Sequence, residues 1–354
     1  MTSSIITGTG CYIPAIKVPN RQFLENEFYQ ADGTPVPKAT EDIVDKLQEI
    51  TCIRERRYIE DDLNTSDMAF LAAEKALDGI DRESLDYIIV AQNLGDVRTD
   101  NITPDMVPTI AARVKHKLRI KNPYTVAYDI PFGCPGWLQG MITADYYLKS
   151  GDARKVMVIG AETLSRVSDP HDVDCMIYSD GAGATVMESS ENGGGVLSHV
   201  TRSDTYDSAY LLTLGQSYDP SRNGRDLFVK MHGHDIYKYA VRTVPKVVKL
   251  SLDKAGLTLS DVKKVLIHQA NQKMDEAILA RLFKLYRIDD IPANIMPMTI
   301  AWLGNSSVAT LPTMLDLLQK GKLEDHEPLQ SGDIAVFASV GAGMNINSMV
   351  YKMP

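Results

Sequence analysis

Apolar residues gather along this chain in short unbroken runs, set between longer stretches where they recur at helical spacing. Tyr87-Ile88-Ile89-Val90-Ala91 is a run of the kind buried on both faces of a parallel sheet. Ser4 to Thr9, Thr125 to Ile130 and Lys155 to Ile159 read as further strands, and Cys175 to Met187 as a strand pair punctuated by Gly181 and Gly183. Helical periodicity predicts helices from about Glu41 to Glu49, from a cap at Ser66 to about Leu77, from about Met106 to Leu118, and directly after Cys134. The last carries Trp137, Leu138, Met141, Ile142, Tyr146 and Leu148, apolar around much of its circumference, which predicts burial in the middle of the protein. Gln30 to Thr40, rich in turn formers, reads as a surface loop, and Thr51 to Arg57 as a solvated, internally paired charge cluster.

The pattern then repeats. From near Gly193 onward, Asp261 to Gln269 lies on Ser84 to Gln92, aligning two apolar strands and a shared glutamine. Leu303-Gly304-Asn305-Ser306-Ser307 lies on Phe132 to Gly136, and Ser331 to Phe337 with Gly341-Ala342-Gly343 lies on Ser150 through Gly160. Three matches in the same order indicate an internal duplication, and a duplicated pair of layered halves encloses a site where equivalent strand ends converge. The expected architecture is α/β, in halves of residues 1–188 and 189–354.

Composition narrows the function. A length of 354 residues suits two halves better than a single core, and a net charge of −9 argues against nucleic acid as the main partner. Cys11, Cys52, Cys134 and Cys175 are dispersed, without CxxC pairs or histidines at ligand spacing, so they read as free thiols with no metal. No apolar run approaches the ~18 residues of a membrane span, and the N-terminus lacks a basic, apolar leader, which together suggest a cytoplasmic protein. Gly8 and Gly10 hint at a dinucleotide turn, but Ile13 stands where the third glycine belongs and Pro14 blocks a helix there.

The chemistry centres on Asp129 to Trp137. Cys134 sits where a strand bends into a helix, Pro135 fits a first helical turn, and Gly133 and Gly136 permit close approach. A thiol facing a helix N-terminus is expected to favour its thiolate, although a buried cysteine at a strand end is the ordinary structural alternative. His268 and Asn305 end equivalent segments of the second half. Alone, one would be a satisfied structural histidine and the other a helix cap; beside Cys134 they make a constellation for acyl chemistry.

Gly133-Cys134-Pro135-Gly136, His268-Gln269-Ala270-Asn271, Gly304-Asn305-Ser306-Ser307, Ser179 to Ala184 and Gly341-Ala342-Gly343 resemble the corresponding stretches of the β-ketoacyl-acyl-carrier-protein synthase III group of the thiolase superfamily. So do Thr51 to Arg56 and Met231 to Lys238, and the resemblance runs through nearly the whole chain. It implies a thiolase-like fold, with duplicated α/β/α/β/α layers around a central buried helix pair. It also implies an acyl-enzyme on Cys134, followed by decarboxylative Claisen condensation with malonyl-acyl carrier protein. His268 and Asn305 would hold the malonyl thioester oxygen, and the backbone N–H groups of Cys134 and Ala342 would form a second oxyanion hole.

The same resemblance implies acyl and malonyl thioester substrates on coenzyme A or carrier phosphopantetheine, no tightly bound cofactor, an acyl carrier protein as partner, and a homodimer. Lys238 and Lys273, flanking two matching stretches, are the expected carrier-docking residues. Two departures stand out. Lys46 and Ile50 occupy positions where better-known members carry a Trp and an Arg that grip coenzyme A, and the Gln30 to Thr40 loop is long enough to suggest a lid or wall. A starter-unit acyltransferase working without decarboxylation is the rival enzyme, and a non-catalytic carrier-binding subunit the rival of another kind.

Overall fold

The computed structural model describes residues 2–222 and 224–354. In chain order, β1 (Ser3–Tyr12), β2 (Ile16–Pro19), α1 (Thr40–Thr51), β3 (Glu55–Tyr58), α2 (Thr65–Ala76), β4 (Tyr87–Ala91), α3 (Ile110–Lys117), β5 (Val126–Ile130), α4 (Gly136–Ser150), β6 (Lys155–Thr163) and β7 (Asp180–Ser190) build the first half. The second comprises β8 (Gly195–Ser203), the short α5 (Thr205–Ser208), β9 (Leu212–Gly215), β10 (Phe228–Met231), α6 (Gly233–Ala255), β11 (Val262–Ile267), α7 (Gln272–Leu285), the short α8 (Ile300–Leu303), α9 (Thr310–Gln319), β12 (Ile334–Gly341) and β13 (Asn345–Lys352).

The duplication is visible as topology. One sheet has the order β1-β7-β6-β4-β5 and the other β8-β13-β12-β11. In both, the first two neighbours pair antiparallel and the third pair is parallel. Because successive strand residues face opposite sides, each sheet feeds two cores. Ile89 and Val158 of the first sheet, with Leu266, Phe337 and Met349 of the second, turn inward onto α4 and α9, which fill the space between the sheets. Ile88, Val90 and Met157 turn outward onto α2 and α3, while Val265, Ile267 and Val336 turn onto α6 and α7. The result is the five-layer α/β/α/β/α arrangement, with α4 and α9 as its buried helix pair. Every residue from Thr310 to Leu318 of α9 is buried, including the polar Thr310, Thr313 and Asp316.

Several local expectations need correcting. The second helix is capped by Asn64, in a reciprocal capping box with Asp67. Ser66 lies inside the helix and donates instead to Asp96. The third helix starts at Ile110, with the Thr109 hydroxyl accepting the Ala112 N–H, and Val107 and Pro108 form a bend before it. Cys175 to Met187 holds one strand, preceded by a short helical turn over Val173–Met176. The Thr51 to Arg57 cluster is not simply a solvated surface. The Arg56 side chain is fully buried and donates to Val18 O at 3.0 Å, Asn20 Oδ1 at 2.7 Å and Met176 O at 2.6 Å. A guanidinium with that many fixed donors ties β2, β3 and the turn before β7 together.

Candidate active site

Register places the candidate nucleophile, Cys134. In the first sheet Ala91 and Ile130, the last residues of β4 and β5, are level with each other and with Gly160, three residues before the end of β6. Chain leaving such ends forms the crevice where open α/β sheets bind ligands. Beyond β5 the backbone turns at Gly133, whose φ of 68° is left-handed and easy only for glycine. Its N–H donates to Asn93 Oδ1 at 2.9 Å and its carbonyl accepts from Gly136 N–H at 2.9 Å, after which α4 begins. A Cβ on Gly133 would lie 2.7 Å from Ala342 N, and one on Gly341 would lie 2.5 Å from Cys134 N. The two glycine turns, one from each half, interlock, and Cys134 and Ala342 are brought to one cavity.

The second half contributes the other two groups. His268 follows β11 directly, and its backbone N–H donates to Ala338 O of β12 at 2.9 Å. Asn305 is held through its backbone by the first half: Asn305 N donates to Ile177 O at 3.0 Å and Ser179 N donates to Asn305 O at 2.9 Å. The Asn305 Oδ1 accepts the Ser307 N–H at 2.9 Å, so the side chain partly serves a turn, as a cap would. Among the described residues its Nδ2 takes no partner, which leaves a donor for the cavity.

Cys134, His268, Asn305 and Ala342 line the same cavity of about 280 Å³. Its walls are mainly apolar: Leu94 and Leu164 from the ends of β4 and β6, Leu212 and Leu214 from β9, and Val229 and Met231 from β10. No residue of the Gln30 to Thr40 loop lines it, so the lid expectation fails. That loop closes on itself, with Gln30 N–H donating to Thr34 O at 2.8 Å, and Gly33 comes up against Pro220. The wall is built by the β9–β10 hairpin, which the sequence analysis did not identify. Lys230 of that hairpin bonds Asp169 at 2.6 Å and Asp172 at 3.0 Å and anchors it to the first half.

Burial governs the site's electrostatics. It pushes the Cys134 thiol up to about 11, against the opposing effects of the Ser307 hydroxyl, which donates to Sγ at 3.4 Å, and of the residue's own amide. The expected bias toward thiolate is therefore outweighed by desolvation. Burial pulls His268 down to about 4, so the imidazole is neutral, and its Nδ1 has no partner among the described residues. A neutral imidazole and an amide can donate to a developing oxyanion without delivering a proton outright.

Lys238 and Lys273 lie outside the cavity, exposed, on the second turn of α6 and the first turn of α7. Ile236, two residues before Lys238, and Met274, next to Lys273, line the cavity. Lys273 is 4.0 Å from Glu49. Lys46 pairs with Glu49 at 2.8 Å next to an open cleft lined by Asp45, Gln48, Glu49, Cys52, Arg54 and Gln272. Among the described residues no group of three His, Cys, Asp or Glu is arranged to hold a metal. Ser307, Asn93 and Glu162 belong to the site neighbourhood and were missed. The signal available for the last two was their place just past, or at, the end of an apolar parallel strand.

A thiol, an imidazole and an amide around one cavity between duplicated halves define the class, a condensing acyltransferase of thiolase-like fold. Residues 128–205 match the family model of 3-oxoacyl-[acyl-carrier-protein (ACP)] synthase III, and residues 252–353 match its C-terminal counterpart. The chain is 31% identical to β-ketoacyl-[acyl-carrier-protein] synthase III 1 of Halalkalibacterium halodurans over 99% of both chains, and 32% identical to that of Bacillus cereus over 98% of both. The crystal structure of β-ketoacyl-[acyl-carrier-protein] synthase III from Thermus thermophilus superposes with a TM-score of 0.80 at 28% identity, covering 99% of both chains. The chain belongs to the 3-oxoacyl-[acyl-carrier-protein] synthase III family.

Proposed function

We propose that this protein takes an acyl group from a thioester onto Cys134 and condenses it, with loss of carbon dioxide, with malonyl-acyl carrier protein to give a β-ketoacyl product. The observation that carries this reading is the shared cavity: Cys134 from one half meets His268 and Asn305 from the other in a mainly apolar chamber suited to an acyl chain. Cys134 Sγ attacks the thioester carbonyl, and the oxyanion is held by the N–H groups of Cys134 and Ala342. The carbon–sulfur bond to the donor breaks, and the thiol proton leaves with the departing thiol.

The malonyl thioester oxygen then accepts from His268 and Asn305. As the bond to the carboxylate breaks, its electron pair passes into the enolate, which attacks the acyl carbonyl and expels the Cys134 thiolate. That thiolate recovers its proton from solvent. Neutral His268 suits this step, because a protonated imidazole would quench the enolate before it could attack.

Residues 1–188 supply the nucleophile in this reading and residues 189–354 supply His268 and Asn305. Lys238 and Lys273 receive the acidic carrier, and opposite charge speeds encounter and sets orientation. Substrates arrive on coenzyme A or on carrier phosphopantetheine, with no resident cofactor. The protein works in the cytoplasm as a homodimer. What supports the dimer is the outer edge of β5, unpaired among the described residues, where Tyr124 and Val126 are exposed. For the location, no described helix is long and apolar enough to cross a membrane.

The test is product analysis: a panel of acyl thioesters supplied with malonyl-acyl carrier protein is expected to give a β-ketoacyl carrier product and one carbon dioxide per product. Acyl transfer to an amine or alcohol without carbon dioxide would make the protein a starter-unit acyltransferase. Absence of any acyl transfer would leave a carrier-binding subunit.

A further inference from the structure

A second set of polar groups stands behind the nucleophile turn. Ala91 at the end of β4 is level with Gly160 of β6, and two residues further along each segment Asn93, just past β4, and Glu162, still within β6, lie side by side. Asn93 Nδ2 donates to Glu162 Oε2 at 2.5 Å, and the Asn93 backbone N–H is directed to the same carboxyl. Asn93 Oδ1 in turn accepts the Gly133 N–H at 2.9 Å. Glu162 is fully buried and its Oε1 has no partner among the described residues. A buried carboxyl kept without a cation is costly, and such groups occur where a site needs them.

We propose that Asn93 and Glu162 are positioning residues for acyl transfer: Glu162 orients the Asn93 amide, and Asn93 holds the Gly133 amide so that the N–H groups of Cys134 and Ala342 converge on one oxyanion. The inference rests on the functional reading above and extends it from the reacting groups to what spaces them. The interlock between the glycine turns makes this spacing sensitive. Gly133 has no room for even a Cβ against Ala342 N, so rotation of its peptide moves the Cys134 amide relative to the Ala342 amide.

Burial raises the Glu162 carboxyl to about 8, so at neutral pH it is an uncharged acid. In that form it accepts from Asn93 without setting a negative charge near the sulfur. An uncharged amide of the same shape, glutamine, is therefore the conservative replacement. Asp180, the acid on the neighbouring strand β7, is bound to Ser165, so Asn93 is the residue whose donors reach Glu162.

The test separates spacing from general damage by using two reactions of one sulfur. Alkylation of Cys134 by iodoacetamide needs the thiolate but no oxyanion hole, whereas acylation by a thioester needs both. Single-turnover acylation is measured with whichever acyl-coenzyme A, from acetyl to decanoyl, acylates the wild type fastest. Asn93→Ala is expected to slow acylation about 100-fold at saturating thioester, with half-saturation changed less than about threefold, the size of effect that misplacement of reacting groups produces. Alkylation is expected to stay within about threefold.

Glu162→Ala should match Asn93→Ala, the double variant should be no worse than either alone, and Glu162→Gln should recover most of the loss. Acylation unchanged in Asn93→Ala, or acylation and alkylation lost together, would overturn the proposal, and so would a Gln variant as slow as the Ala one. A wild type that no thioester acylates would instead overturn the functional reading on which it rests.

Discussion

The first half of this molecule places a thiol just beyond β5, and the second half places an imidazole beyond β11 and an amide beyond α8. The two halves secure these groups differently. Cys134 is secured largely by its own half: β5 is paired with β4 from Val126 to Ile130, the Gly133 amide is tied to Asn93, and α4 starts within two residues of the sulfur. The second half has no counterpart to β5 in its ladder, and the corresponding segment touches β11 through Val265 N to Ile295 O at 2.9 Å. Asn305 is instead pinned by Ile177 and Ser179 of the first half, and α9 begins only after an intervening turn over Ser307–Ala309. The lesson is that the nucleophile is preorganised within one half, whereas the groups for the second step depend on the joint between halves.

Breaking that comparison should produce effects in a definite order. Cys134→Ala is expected to abolish acylation and condensation together while circular dichroism and melting temperature stay near wild type; residual turnover by that variant would break the account. Asn305→Ala is expected to leave acylation nearly intact and slow condensation about 100- to 1000-fold, as loss of an oxyanion donor does. Equal loss of both steps, read by mass spectrometry and by product formation, would contradict the division of labour.

A change at the joint should sit between these. Arg56→Met removes a buried donor of bonds to Val18, Asn20 and Met176, and should lower stability by about 3 kcal/mol in denaturant titration. Because Met176 adjoins the Ile177–Ser179 segment that holds Asn305, condensation should fall more than acylation.

The pH dependence sharpens the contrast, because His268 of one half and Glu162 of the other shift in opposite senses. His268 falls to about 4 in the folded protein from an ordinary 6.5, so the folded state binds fewer protons in that window. Its contribution to stability is full above 6.5 and is lost as pH falls toward 4. Glu162 rises to about 8 from 4.5, so its contribution is full below 4.5 and is lost as pH rises toward 8. Melting temperature against pH should therefore flatten between about 4 and 6.5 in His268→Gln and between 4.5 and about 8 in Glu162→Gln. The smallest effect is expected from Lys238→Glu and Lys273→Glu, which should raise the KM for malonyl-acyl carrier protein several-fold and leave a small malonyl thioester surrogate unaffected.

Much of this was legible in the chain. The apolar run Tyr87 to Ala91 and its echo at Val262 to Ile267 announce strands covered on both faces, and the order of matching segments announces the duplicated sheet. Cys134, His268 and Asn305 are each ordinary alone and stand out only as a set, at corresponding places in the two halves. What was not legible depended on distance in sequence. Arg56 looks like surface until β2, β3 and the turn before β7 enclose it. The β9–β10 hairpin carries only short apolar alternations, and nothing local shows that Leu212, Leu214, Val229 and Met231 face a cavity. The protonation of Cys134 was misjudged because a helix N-terminus can be read from a proline and glycines, whereas the desolvation that outweighs it comes from residues across both halves.

The central claim is that one sulfur carries the acyl group and the second half then uses it. Intact-protein mass spectrometry tests this most directly, after incubation with a panel of acyl-coenzyme A and acyl-carrier thioesters and a chase with malonyl-acyl carrier protein. The account predicts a single adduct, mapped to Cys134, that disappears as β-ketoacyl carrier forms in the wild type and persists through the chase in Asn305→Ala. An adduct on another residue, or one that Asn305→Ala discharges as fast as the wild type, would contradict it.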